Sequence, residues 1–199
     1  MNKNNKSIVI ATGGTGGHVF PAVSLANYLN VNGFNLILTT DKRGFKFISG
    51  EIINNTQIIN SSTLNKKGII ISFFKILFAT FKSFIVLFKS KPKFIFGMGG
   101  YASFPICLAG IILRIPFIIY ENNLLMGKAN RYLAPFAKKI FISYKDTEGV
   151  KKKLNDKIVV IGNILRENIL YSLRADKDEA IKKLKILVLG GSQAAKIFA

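Results

Sequence analysis

Seven short apolar runs, most of them separated by stretches of helical character, punctuate this chain: Ser7–Ala11, Asn35–Thr39, Lys93–Phe96, Pro116–Tyr120, Lys139–Ile142, Lys157–Ile161 and Lys185–Leu189. Strands that alternate with helices in this way are buried in a parallel sheet with helices on both faces, so the expected class is α/β. With 199 residues, 49% of them hydrophobic, the chain has room for one such domain and a remnant. The first helix is expected from about Pro21 to Asn32, closed by Gly33 as a C-terminal cap.

Between the first strand and that helix lies Gly13-Gly14-Thr15-Gly16-Gly17-His18, which ends on the only histidine of the sequence. Glycines at a strand-to-helix turn let backbone N–H groups approach a ligand, and the helix dipole favours an anion at the same spot. Phosphate is the expected ligand group. His18 suits removal of a hydroxyl proton near neutral pH, and it serves equally well as a hydrogen-bonding residue at a helix start. A second glycine turn, Gly97-Met98-Gly99-Gly100-Tyr101, follows another strand. Two such loops at the carboxyl edge of one parallel sheet can cradle a diphosphate together, although either alone is an ordinary turn.

Lys and Arg number 29 against 10 acidic residues, a formal net charge of +19, which favours anionic partners. Lysine, asparagine, isoleucine and phenylalanine are all abundant, so compositional bias accounts for part of that charge, and no nucleic-acid partner is inferred from it. The single cysteine, Cys107, lies in an apolar run and reads as a small buried hydrophobe in a reducing compartment. The apolar run after Met1–Lys6 is too short for a signal-peptide core. No cysteine–histidine metal set or paired carboxylates at catalytic spacing stand out, so neither metal nor cofactor is implied.

From Ile69 to Phe88 the sequence is almost wholly apolar, broken by Lys75 and Lys82, with Lys89 next in the same spacing of seven. Its length would just span a bilayer, but two lysines would then lie in hydrocarbon at about 2.5–3.5 kcal/mol each. Three readings stay open: a helix packed on the sheet with a solvated lysine stripe, a packed helix that also touches a membrane surface, and a spanning helix.

Two further strand ends carry polar residues. Glu121-Asn122-Asn123, with Asn130 and Arg131 beyond, offers a carboxylate that could orient a base or bind a hydroxyl, or simply act as a solvated or capping group. Gly162-Asn163-Ile164-Leu165-Arg166 offers a cation for phosphate, or an ordinary surface arginine. Asp41, near the end of the second strand, is where a dinucleotide-dependent oxidoreductase would place a ribose ligand. Finally, Lys185–Leu189 followed by Gly190-Gly191-Ser192-Gln193 repeats the plan of the first strand and its glycine turn. It reads either as the start of a second domain or as an edge strand of the first sheet.

Taken in order, Gly13 to Pro21, Gly97 to Tyr101, Glu121 to Asn123, Gly162-Asn163 with Arg166, and Gly190 to Gln193 resemble the MurG family of peptidoglycan N-acetylglucosaminyltransferases. The resemblance implies a GT-B architecture, two Rossmann-like domains about a cleft. Residues 1–173 would be the acceptor-binding domain, 174–184 a linker, and 185–199 the first strand and partial helix of a truncated donor domain. It implies transfer of N-acetylglucosamine from UDP-N-acetylglucosamine to undecaprenyl-diphosphate-linked N-acetylmuramoyl-pentapeptide, at the cytoplasmic face of the cell membrane, by a peripheral protein that docks on an anionic surface.

By the same resemblance His18 is the candidate base and Glu121 its partner or a hydroxyl ligand. Thr15, Gly16, Gly17, Gly99, Gly100, Tyr101, Asn123, Arg166 and Ser192 are expected to bind substrate. Three positions depart from the family pattern: Tyr120 stands where histidine is usual, Ile164 where proline is usual, and Ala194 where glycine is usual. With most of a donor domain absent from these residues, the chain is expected to show little activity alone, because a transferase gains most from holding both substrates in register. The alternative is a non-catalytic lipid- or diphosphate-binding module.

Overall fold

The computed structural model describes residues 7–61, 69–166 and 169. The strand candidate Lys185–Leu189, Ser192 and the expected linker and second domain lie outside them. Residues up to Ile164 form one compact unit, and a second unit begins at Leu165.

Seven strands form one sheet: β1 (Ser7–Ala11), β2 (Asn35–Thr40), β3 (Thr56–Ile58), β4 (Phe94–Gly97), β5 (Phe117–Glu121), β6 (Lys139–Ile142) and β7 (Ile158–Val160). Every neighbouring pair is parallel, in the order β3-β2-β1-β4-β5-β6-β7. The chain order reverses between β1 and β4, which places the topological switch point there. Ala11 of β1 pairs with Gly97 of β4, so the two glycine turns leave neighbouring strands side by side. β3 has no counterpart among the expected strands. Its three residues are partly or fully exposed at the sheet edge, so no apolar run marks it.

Alternation along β1 sends Ile8 and Ile10 into the core beneath helix α1 (Gly16–Val31), with Val19, Ala22 and Ala26. Val9 and Ala11 enter the core of the opposite face. There α3 (Ile69–Ser90) packs against α4 (Ser103–Ile112), which in turn contacts α5 (Lys128–Leu133). A four-residue helix, α2 (Lys42–Phe45), follows β2. Cys107 is fully buried and packs in that core, and burial pushes its thiol up to about 12.

Helix α1 begins at Gly16, five residues before the expected start at Pro21, so the glycines supply its first turn. Pro21 sits inside the helix and lacks the N–H that would bond the Gly17 carbonyl. That carbonyl instead accepts a hydrogen bond from Asn122 Nδ2 at 2.8 Å, tying the turn after β5 to the start of α1.

The long apolar helix α3 packs inward on its small residues. Its buried stripe is small and mildly polar, Ser72, Ala79, Thr80 and Ser83, with Leu87, and the hydroxyls of Thr80 and Ser83 bond carbonyls four residues back. Small residues let α4 approach closely. The aromatic side chains that would have made a large core point outward: Phe73, Phe74, Phe78, Phe81 and Phe88 are each about 60% exposed. Lys75, Lys82 and Lys89 are exposed as well, and the Lys82 ammonium lies 4.8 Å from the Phe78 ring centroid. By length and composition Ile70–Ser90 could cross a membrane, yet the same helix contributes a packed stripe to the domain.

Candidate functional site at the switch point

At the carboxyl ends of β1, β4 and β5 a cavity of about 330 Å³ is lined by Gly13, Gly14, Thr15, His18, Arg43, Gly100, Tyr101, Glu121, Asn123 and the segment Gly127–Asn130. Six of the residues expected at the site therefore share one cavity: Thr15, His18, Gly100, Tyr101, Glu121 and Asn123. Gly99 lies immediately behind the histidine ring. Gly16 and Gly17 form the first turn of α1, and Thr15 caps that helix without a side-chain hydrogen bond to it. Arg166 is exposed and belongs to the second unit.

The imidazole of His18 is wedged against the second glycine turn. A Cβ placed on Gly99 would sit 3.0 Å from Nδ1 and 3.1 Å from Cε1, and one on Gly100 would meet Cδ2 at 3.4 Å and the Gly13 carbonyl at 3.1 Å. Both glycines have positive φ, +84° and +75°, so neither the backbone nor the space suits another residue. Nδ1 is buried and makes no well-formed hydrogen bond, which leaves Nε2 as the nitrogen available to the cavity. Burial pushes the imidazole below its ordinary value near 6.5, and the Glu121 charge and the Met98 main chain offset this only in part. That direction favours the neutral form of the His18 imidazole near pH 7.

Glu121 is 1% exposed and its carboxylate is fully occupied. Oε1 accepts from the Asn123 N–H at 3.1 Å and from Asn123 Nδ2 at 2.7 Å; Oε2 accepts from the Gly127 N–H at 2.9 Å and from Asn130 Nδ2 at 3.0 Å. Two donors per oxygen use its four lone-pair sites. In place of the expected hydroxyl ligand or hydrogen-bonded partner of the base, the structure gives a group that shapes the 122–130 loop and acts on His18 through its charge. Asn130 Nδ2 is spent twice, on Glu121 and on the Tyr120 carbonyl at 3.0 Å.

Asp41 holds the first glycine loop from the other side. Its Oδ1 accepts from the Gly14 N–H at 2.9 Å and the Gly44 N–H at 2.8 Å, while Oδ2 pairs with Arg43 at 2.9 Å. Burial alone would raise its pKa, but the Gly14 and Gly44 amides and Arg43 outweigh it, and the carboxyl stays below its ordinary value. A carboxylate spent on the Gly14 and Gly44 amides and on Arg43 is not free for a ribose, which counts against the oxidoreductase reading. The same bond means that the Gly14 amide is not a bare donor.

Two cations at the cavity escaped the sequence reading. Arg43 sits in α2 and Lys128 opens α5. Nothing in their local sequence sets them apart from the other 27 basic residues; only the strand order brings them to this edge. Among the described residues no group of three or more His, Cys, Asp or Glu could hold a metal ion.

A parallel sheet whose switch-point cavity joins two glycine turns, a helix N-terminus and a neutral imidazole defines a doubly wound α/β protein. The family model for the glycosyltransferase family 28 N-terminal domain matches residues 8–142, and the chain belongs to that family. The UDP-N-acetylglucosamine–N-acetylmuramyl-(pentapeptide) pyrophosphoryl-undecaprenol N-acetylglucosamine transferase of Rickettsia bellii is 39% identical over 200 residues, covering 98% of this chain and 54% of its own. The protein of the same name from Pelagibacter ubique is 37% identical over 196 residues, with 98% and 54% covered. Among solved structures, MurG of Acinetobacter baumannii superposes with a TM-score of 0.64 at 28% identity, over 81% of this chain and 46% of that one. A UDP-N-acetylglucosamine 2-epimerase from Neisseria meningitidis shares the fold alone, at TM-score 0.56 and 18% identity over 85% of this chain and 49% of that one. The chain spans about half the length of the curated relatives it matches.

Proposed function

We propose that this chain supplies the acceptor-binding side of a MurG-type reaction, the transfer of N-acetylglucosamine from UDP-N-acetylglucosamine to undecaprenyl-diphosphate-linked N-acetylmuramoyl-pentapeptide. The observation that carries the reading is the single cavity in which both glycine turns flank the only histidine of the sequence. The acceptor's diphosphate lies over the N-terminus of α1 with Arg43 and Lys128 beside it. His18 Nε2 takes the proton from the acceptor's 4-hydroxyl as that oxygen attacks the anomeric carbon. The bond to UDP breaks, UDP leaves with the electron pair, and the anomeric centre inverts. Glu121 and Asn130 keep the loop around the sugar in place.

Arg166 and Ser192, matched by resemblance to substrate contacts, belong to the donor side of the proposal. On their own residues 1–199 bind acceptor and turn over little, because effective molarities of about 10⁵–10⁸ M are forfeited when one substrate is not held. The outward aromatic face of α3, edged by Lys75, Lys82 and Lys89, docks on the anionic cytoplasmic leaflet where such an acceptor is anchored. That makes the protein peripheral.

The test is calorimetric titration of the 199-residue chain with a short-prenyl diphosphate bearing N-acetylmuramoyl-pentapeptide, and separately with NAD. The proposal expects saturable binding of the first, at least about tenfold tighter than the second, or about 1.4 kcal/mol. Comparable binding of NAD, or no binding of the acceptor, overturns it.

A further inference from the structure

Tyr120 is buried, yet its hydroxyl joins three segments of chain. It lies 2.8 Å from Ser143 Oγ, just past β6; it is 3.3 Å from the Gly162 carbonyl; and it accepts a hydrogen bond from the Ile164 N–H at 3.2 Å. A phenol has one proton and can accept two bonds, so the Ile164 amide fills an acceptor site while the proton serves Ser143 or Gly162. Next to it Asn163 Nδ2 donates to the Tyr144 hydroxyl at 3.2 Å. β7 ends at Val160, and Ile161 makes the last ladder-like bond, its N–H donating to the Ile142 carbonyl at 3.0 Å. Beyond it the hydrogen bonds of residues 162–164 end on two tyrosine hydroxyls. At the other end of the same residue, the Tyr120 carbonyl accepts from Asn130, which lines the cavity.

We infer that the Tyr120 hydroxyl is a positioning group that clamps the chain leaving β7 to the carboxyl edge of the sheet, and that Tyr120 and Ile164 work as a coupled pair. The contact itself carries this: one buried hydroxyl meets both the Ile164 N–H and the Gly162 carbonyl, two groups that no strand ladder pairs. Proline fixes its own φ and has no N–H to satisfy. Isoleucine at 164 has a free φ and a backbone donor, and the tyrosine hydroxyl restrains the one by accepting from the other. The segment so held leads directly to Arg166, and the inference stands whatever ligand the cavity takes.

Four proteins test it: wild type, Tyr120→Phe, Ile164→Pro and the double variant. Each is melted and exposed to trypsin, which cuts after the exposed Arg166 and, as an internal control, after the exposed Arg114 in the turn past α4. Tyr120→Phe is expected to speed cleavage after Arg166 by about tenfold or more, by freeing local opening, with Arg114 unchanged. Ile164→Pro alone weakens the clamp too, since the hydroxyl loses its donor. In the double variant no backbone N–H at 164 is stranded and proline restrains the turn, so cleavage after Arg166 returns close to wild type, while melting keeps only the loss from the Ser143 hydroxyl. Additive damage in the double variant, unchanged cleavage in Tyr120→Phe, or a double variant that does not fold overturns the pairing. Should Tyr120→Phe alone fail to fold, amide exchange in the wild-type chain decides. Protection of the Ile164 N–H comparable to that of Ile161 supports the clamp, and exchange at the unfolded rate overturns it.

Discussion

Replacing Gly99 by alanine perturbs the central contact of the site with a single methyl group. Gly33 provides the control, because it has a similar positive φ, +77° against +84°, but nothing within 4 Å of a Cβ built on it. At Gly33 the cost is the left-handed backbone alone, about 1–2 kcal/mol for a residue with a side chain, offset by about 0.4–1 kcal/mol from the stiffer unfolded chain. At Gly99 the methyl also stands 3.0 Å from Nδ1 and 3.1 Å from Cε1 of a ring confined by the neighbouring turn. Overpacking of that kind adds about 1–3 kcal/mol. Thermal melts of the two variants should therefore differ by about 2–12 °C, taking about 2–4 °C per kcal/mol for a chain of this size. The ring must move for the methyl to fit, so Gly99→Ala should also shift the histidine NMR signals while Gly33→Ala leaves them in place. Equal melting temperatures with an unmoved imidazole would refute the packing of His18 against the second glycine turn.

Other outcomes follow from the same geometry. Because burial lowers the His18 pKa in the folded chain, the unfolded chain binds its proton first; stability is complete above about pH 6.5 and falls as pH drops from there toward the folded value. Melting temperature measured from pH 7.5 to 5.5 should show this decline, and His18→Asn should flatten it. Asn122→Ala removes the bond to the Gly17 carbonyl and should cost about 0.5–1.5 kcal/mol in urea unfolding; in a Pro21→Ala background, where a new N–H can take that carbonyl, the loss should shrink. For α3, flotation with anionic liposomes should fall when Lys75, Lys82 and Lys89 are changed to glutamate, by about 1 kcal/mol or more per charge at the surface. Flotation indifferent to both lipid charge and these changes removes electrostatic docking.

Much of the fold was written locally in the sequence. β1, β2, β4, β5 and β6 are apolar runs of strand length, and each was placed to within a residue or so because a strand buried on both faces advertises itself continuously. β3 was not legible, since Thr56-Gln57-Ile58 is an edge strand held by pairing with β2 and not by burial. The start of α1 was read too late because glycine and proline signal breaks, whereas here the glycines form the first turn and the bond Pro21 cannot make is replaced by Asn122. For α3 the lysine spacing of seven shows that one side differs from the other, but not that the helix packs on its small residues, which follows from its contact with α4.

At the site, the glycine turns and His18 are visible as motifs, and two strand-end turns of one parallel sheet are expected at its carboxyl edge. That they leave neighbouring strands depends on β1 pairing with β4 across more than eighty intervening residues, a non-local fact that no spacing encodes. The jobs of Glu121 and Asp41 were hidden for a related reason. A carboxylate at a strand end looks the same in sequence whether it is open to a ligand or surrounded by donors of the chain itself; Glu121 is surrounded by donors of the 122–130 segment, and Asp41 by Gly44, Arg43 and the Gly14 amide of another loop.

With one histidine in the sequence, the imidazole gives a single NMR signature, and its Cε1–Hε1 resonance reports on the proposed base without ambiguity. Followed against pH and then against added prenyl-diphosphate-linked N-acetylmuramoyl-pentapeptide, it should titrate below 6.5 in the free chain and move when that ligand binds, while NAD leaves it in place. A resonance that titrates at or above 6.5, or that ignores saturating acceptor, contradicts a neutral His18 placed to take a proton from the bound sugar.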